Sequence, residues 1–291
     1  MDLELPEDVG SDMESSDVES SVNEDPLADS RRLESPRGPV HFMEIFSNPR
    51  VAPHIRLMGM SHGPSIDLGT GWNLLLDSCQ VALLYLIERL CPLLLMLSPP
   101  CTVFSQAQQS MEGRRKSQDA WNKKYAEGLR LWMFACTLFK HQVDQGRAAI
   151  MEHPWLASSW KLSVTAALLA RDTVYQCVFD QCLLGLVTTE EQKPVRKRTR
   201  FMTNAAHMDP AFFRRCNHET CTHPGVPHAW LQGSEGGLPR CRSAQTYPPE
   251  FCRCLALTVQ NELQSQIQIL PAAMSDDETE TDVELPPEAA D

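Results

Sequence analysis

The chain has 291 residues, 42% of them hydrophobic, enough for one sizeable buried core flanked by tails. Its net charge of −12 is concentrated at the ends: residues 1–36 hold 12 acidic and 2 basic side chains and residues 274–291 hold 8 acidic and none basic, which leaves 37–273 at about +6. The eleven cysteines are an odd number, many of them in apolar runs (Cys79, Cys91, Cys136, Cys177, Cys182). With no secretory signal at the start, and apolar runs at 81–87 and 93–97 far short of the roughly 20 residues a membrane span needs, this argues against a disulfide scaffold or membrane protein and for an intracellular one, nuclear or cytoplasmic.

Residues 1–39 are rich in Asp, Glu, Ser and Pro and are expected to form a disordered acidic tail, as are residues 263–291. Between them, His41–Phe46 reads as a first strand, followed by a short helix from about Arg50 to Gly59. Ser65–Leu68 reads as a second strand stopped by Gly69-Thr70-Gly71, and Asp77–Leu90 keeps helical spacing. Leu93–Leu97 is a continuous apolar run that suits a central parallel strand buried on both faces. A long helix is expected from about Asp119 to Asp144, then a strand at Ala148–Met151, a helix from Ser158 or Ser159 to Arg171, and strands at 174–180 and 200–203. Repeated strand–helix alternation predicts an α/β fold with a doubly wound, mostly parallel sheet, whose chemistry sits outside the carboxyl ends of the strands. Ser47-Asn48, Asp67, Cys101 and Glu152 each follow a predicted strand.

Cys101 follows Pro99-Pro100, which would hold its thiol in a stiff loop, with Arg114, Arg115 and Lys116 near in sequence to favour a thiolate. A buried structural cysteine explains the same spacing. Glu152, before His153-Pro154, suits an acid, a cofactor ligand or a helix cap, the cap being the plainest of the three. The segment 216–254 gathers Cys216, His218, Cys221, His223, His228, Cys241, Cys252 and Cys254. Cys216-x4-Cys221 and His218-x4-His223 have spacings suited to zinc ligands, although no C-x2-C pair accompanies them. The tryptophans Trp121, Trp132, Trp155, Trp160 and Trp230 read as packing residues rather than base-stacking platforms. The run Arg196-Lys197-Arg198 suits a nuclear-localisation patch or, if it faces a cleft, a nucleic-acid contact.

The segment Pro99-Pro100-Cys101-Thr102-Val103-Phe104-Ser105 resembles the P-P-C-Q-x-F-S nucleophile loop of cytosine-C5 methyltransferases. Glu152-His153-Pro154 stands where that family has Glu-Asn-Val, and Lys197-Arg198-Thr199-Arg200 where it has Gln-x-Arg-x-Arg. Ala244–Cys252 is similar to a late segment around an aromatic–proline pair, and the order and approximate spacing of the four agree. The combination looks closest to divergent domains of mobile-element-type proteins. The resemblance implies a Rossmann-like, S-adenosylmethionine-dependent methyltransferase fold over 40–262, with a small Cys/His-rich insert at 205–243. It further implies catalysis by Cys101, Glu152, Arg198 and Arg200, with the two arginines steadying the nucleotide and holding Glu152. The cofactor would contact Phe46, Ser47, Asp67, Asn73 and Pro99, and a zinc ion at Cys216, His218, Cys221 and His223 would pin the insert. The expected partner is nucleic acid, DNA ahead of RNA, the base being flipped out to reach Cys101. Two departures stand out: the family's Phe-x-Gly-x-Gly loop is here Phe46-Ser47-Asn48-Pro49-Arg50, without glycine, and Asn73 stands where an Asp is usual. The nucleophile half is thus kept more fully than the cofactor half. A silent binding module, or a zinc-dependent interaction protein, are the alternative readings.

Overall fold

The computed structural model describes residues 38–106, 117–229, 231, 234–235, 238–239 and 244–274. Of the expected disordered tails at 1–39 and 263–291, residues 1–37 and 275–291 lie outside the described residues, as do the basic stretch Arg114–Lys116, Trp230 and Cys241. The main sheet has five strands, β1 (Phe42–Ile45), β2 (Leu94–Leu97), β3 (Ala148–Pro154), β4 (Tyr175–Asp180) and β5 (Arg198–Thr203), in the order β1-β2-β3-β5-β4. The first three run parallel, whereas β5 is antiparallel to both of its neighbours. The sheet is therefore mixed rather than uniformly wound. The physical cause is the β4–β5 connection, which contains a short 3-10 turn (Gln181–Leu184) and loop but no crossover helix, so the chain returns beside β4 in the opposite direction.

Among the described residues, five helices flank this sheet: α1 (Ala52–Leu57), α2 (Asp77–Leu90), α3 (Gln118–Asp144), α4 (Ser163–Leu169) and α5 (Pro249–Met274). Strand side chains alternate between two cores. Met43, Ile45, Leu95, Leu97, Ala149, Met151 and Met202 pack with α2, α3 and α4. Phe42, Leu94, Met96, Ile150, Phe179 and Phe201 pack on the opposite side with α1 and α5. Leu94–Leu97, fully buried between β1 and β3, is the central strand expected of a continuous apolar run.

Four boundaries differ from the sequence reading. Residues 65–68 do not make a named strand. Ile66 bridges Ile45, but Pro64 has no N–H to extend a ladder and Asp67 already caps the next turn. Strand β3 continues through Glu152 and His153 to Pro154, because those residues pair with Phe201 and Arg200. Helix α5 runs on to Met274, through part of the segment expected as tail. Its face of Phe251, Leu255, Ala256 and Val259 is anchored in the core, and the following Asn-Glu-Leu-Gln stretch carries helix-compatible residues. At the start of the segment expected as an insert, Ala205, Met208 and Phe212 belong to the α5-side core.

Trp132 on α3 is fully buried, and its indole N–H donates to Thr165 Oγ1 at 3.0 Å. Thr165 in turn donates to the Ser159 carbonyl at 2.9 Å. Trp132→Ala is expected to cost about 3–5 kcal/mol in chemical denaturation, whereas Thr165→Val, which orphans the indole donor, is expected to cost about 1–3 kcal/mol.

Candidate active site

Because β1, β2 and β3 are parallel, the segments that follow them gather at one edge of the sheet. Ser98 N still donates to Ile45 O at 3.0 Å, so the Pro-Cys turn starts beside the end of β1. Pro99 is buried, Pro100 is exposed, and the half-buried Cys101 opens a 3-10 turn over Thr102–Phe104 whose Val103 and Phe104 are buried. Leu97 pairs with Met151, which places the turn alongside Glu152 on the next strand.

Glu152 and His153 point to opposite faces, as neighbours on a strand must. Glu152 is only 6% exposed. Its Oε2 lies 3.1 Å from the Tyr247 hydroxyl, which is itself 2.8 Å from Ser98 Oγ. A phenol has one proton and a carboxylate has none, so Tyr247 donates to Glu152 and accepts from Ser98. Burial, with Glu152 beside it, holds the Tyr247 hydroxyl well above its ordinary pKa, so it remains a donor. Glu152 Oε1 is buried without a hydrogen-bond partner, and Lys197 Nζ stands 3.7 Å from it, an ion pair beyond hydrogen-bonding distance. The Tyr247 ring stacks on Phe251 of α5 with centroids 4.2 Å apart.

His153 enters the other core, against Phe104, Trp132 and Trp160, and is fully buried. Its Nδ1 lies 2.7 Å from Ser159 Oγ. Burial pulls its pKa down to about 3, although the nearby Pro100 and Pro99 carbonyls work the other way. Its Nε2 is buried without a hydrogen-bond partner. Through its ring contact with Phe104, the neutral ring joins the turn that Cys101 opens to the strand that carries Glu152.

The two arginines do not hold Glu152. Glu152 pairs with Phe201, so Arg198 and Arg200, at odd steps from Phe201, project from the other face. Arg198 is spent on Asp180, with Nε to Oδ1 at 2.9 Å and Nη2 to Oδ2 at 3.0 Å, a contact that raises the arginine's pKa. Arg200 lies over Trp155 at 4.2 Å and near Trp160 at 5.2 Å, while Arg215 covers Trp155 at 5.4 Å. Lys197 shares the parity of Phe201 and is the cation on the Glu152 side. Lys197 and Tyr247 both lie within segments that carry the resemblance, which assigns neither of them a role.

The residues expected to touch a cofactor are engaged with their own backbone. Phe46 is left-handed at φ 60, a conformation that glycine would adopt without strain. Ser47 donates to the Asn48 carbonyl at 2.8 Å, and Asn73 Oδ1 accepts from Leu75 N at 3.1 Å. Asp67 accepts from Gly69 N at 2.8 Å in a capping box with Thr70. The sequence reading overlooked Glu44. Buried in β1, it accepts from the N–H groups of Arg50, Val51 and Ala52 at 3.0, 3.4 and 3.2 Å and from the Ser65 hydroxyl at 2.9 Å. With Pro49 lacking an N–H, the loop after β1 has its amides largely committed to this internal carboxylate. The residues present do not fit S-adenosylmethionine cradled by backbone in the glycine-rich manner.

At the carboxyl end of β4, the ligand atoms of Cys182, Cys216, Cys221 and His228 lie within 4.8 Å of one another, a set that could hold a metal. Cys216 and Cys221 belong to the expected set, but Cys182 and His228 replace His218 and His223. His218 Nδ1 instead contacts His228 Nδ1 at 3.0 Å, and His223 is half-buried beside Thr222. Cys182 arrives from the turn after β4, too distant in sequence for its spacing to be informative. Elsewhere, burial pushes the Cys136, Cys177, Cys252 and Cys254 thiols up to about 12, which makes them inert packing groups. Among the described residues, no helix is long and apolar enough to cross a membrane. Comparison of the chain with protein-family models and with curated proteins finds no match in either.

Proposed function

We propose that the chain is a cytosine-C5-methyltransferase-like module that receives a nucleic-acid base between Cys101 and Glu152. The observation that carries this reading is the Glu152 carboxylate. One oxygen is fixed by Tyr247, while the other is buried with no hydrogen-bond partner, beside the turn bearing the thiol. Such an acceptor is an expensive feature to keep in a core, and it suits the amino group of a cytosine. On the resemblance, Cys101 would add to C6 of that base while Glu152 engages N3. The basic balance of the central region suits a phosphate-bearing ligand, DNA ahead of RNA.

Glu44 favours the form of this reading in which the module binds without methylating. Calorimetry of the full chain with S-adenosylmethionine is then expected to show no binding. Tight binding, together with methyl transfer to cytosine that Cys101→Ser abolishes, would establish the enzyme instead. For nucleic acid itself, Glu152→Gln is expected to weaken binding of an oligonucleotide with an unpaired cytosine by roughly tenfold in fluorescence anisotropy. Unchanged affinity, or equal affinity for an abasic oligonucleotide, counts against a base-receiving cleft.

A further inference from the structure

We infer that Cys182, Cys216, Cys221 and His228 bind one zinc ion in a closed, four-ligand site that pins the loop 216–228 to the end of β4. His228 Nε2 lies 3.5 Å from Cys216 Sγ and 3.4 Å from Cys221 Sγ. Zinc–sulfur bonds of about 2.3 Å and zinc–nitrogen bonds of about 2.0–2.1 Å, set in a tetrahedron, require an S···N separation of about 3.5 Å. The widest separation of 4.8 Å compares with about 3.8 Å for two sulfurs on tetrahedral zinc, so a contraction of about 1 Å completes the site.

Apolar packing of three thiols explains Cys182, Cys216 and Cys221 with Leu183, but it does not explain an imidazole nitrogen aimed at two sulfurs. That ring is oriented from behind by His218, as metal-bound histidines commonly are by an outer partner. His218 adopts φ 71 and donates its backbone N–H to Cys216 Sγ at 3.3 Å, so one strained turn serves both a ligand and the partner of a ligand. The site is also tied to the sheet, since Cys216 N donates to Asp180 Oδ2 at 3.0 Å and Thr222 donates to the Cys182 carbonyl at 2.8 Å. Three soft thiolates and one imidazole select zinc over magnesium or calcium, and four protein ligands leave no open position, which makes the ion structural. Loading exchanges three thiol protons for one dication.

Metal analysis of the full chain, purified without chelator, is expected to give one zinc per chain. Cys182→Ser and His228→Ala should abolish it, and His223→Ala should leave it unchanged. His218→Ala should keep the ion but weaken it about 10- to 100-fold in competition with a chromophoric chelator. Cobalt(II) added to metal-stripped wild-type chain should give tetrahedral bands and intense thiolate charge transfer, a readout independent of whether the variants fold. Substoichiometric zinc with a pale octahedral cobalt spectrum, or a loss of metal in His223→Ala but not in Cys182→Ser, would overturn the site.

Discussion

Between about pH 6.5 and about pH 3 the protein is expected to lose stability through His153, by about 1.4 kcal/mol per pH unit and on the order of 4–5 kcal/mol in all. In the unfolded chain this imidazole takes up a proton near its ordinary value of 6.5. In the folded chain it stays neutral until about pH 3, because the ring is enclosed by Phe104, Trp132 and Trp160. The folded value is thus depressed, so the stabilisation is complete above pH 6.5 and is lost as the pH falls towards the folded value. Carboxylates titrate in the same range, and the comparison that isolates the histidine is His153→Phe. That variant keeps an aromatic ring but gives up the Ser159 bond, so it should be less stable at pH 7. Urea denaturation at pH 7, 5.5 and 4 should then show a shallower pH dependence for the variant. Parallel slopes would mean that the imidazole is not the group responsible.

The second large effect is expected at the Asp180–Arg198 pair, and its two halves should be unequal. Asp180 is fully buried, whereas the Arg198 side chain remains 34% exposed. Arg198→Ala leaves a buried carboxylate with the Cys216 amide but no counter-charge, an arrangement that costs about 3–5 kcal/mol. Asp180→Asn keeps the size of the side chain and leaves behind a guanidinium that reaches water, so the expected cost is about 1–2 kcal/mol. Equal losses from the two substitutions would show that the pair is solvated as a unit. Because Asp180 also accepts from Cys216 N, both changes should loosen the 216–228 loop, which limited proteolysis can follow.

The elements legible in the sequence were those whose pattern is local. Leu94–Leu97 is apolar throughout, Asp77–Leu90 and Gln118–Asp144 repeat every three to four residues, and each stands close to where periodicity puts it. The reversal of β5 was not legible, since alternation of side chains is the same for a strand running in either direction. The same blindness misplaced the arginines. The alternation of Lys197, Arg198, Thr199 and Arg200 is visible, but which of them faces Glu152 depends on the register of β5 against β3. At the Cys/His cluster, the even spacing of His218 and His223 mimics a ligand pair. The structure selects instead the residues that converge in space, Cys182 from another element and His228 from farther along the loop. Glu44 was hidden for a different reason: an acid inside an apolar strand carries no pattern until the amides it satisfies are known.

The place of β5 between β3 and β4 also bears on how the chain can be assembled. Within the main sheet, the outer edge of β3 and the inner edge of β4 both pair only with β5, which lies later in the sequence than either. A nascent chain that has emerged only as far as Asp180 therefore carries two strands with open backbone edges and an apolar face that α5 has not yet covered. Fragments ending before Arg198 should aggregate, and those ending after Thr203 but before Pro249 should have a paired sheet with one bare face. The last third of the chain thus closes the sheet and then seals it, which makes C-terminal truncation far more damaging than its distance from Cys101 would suggest.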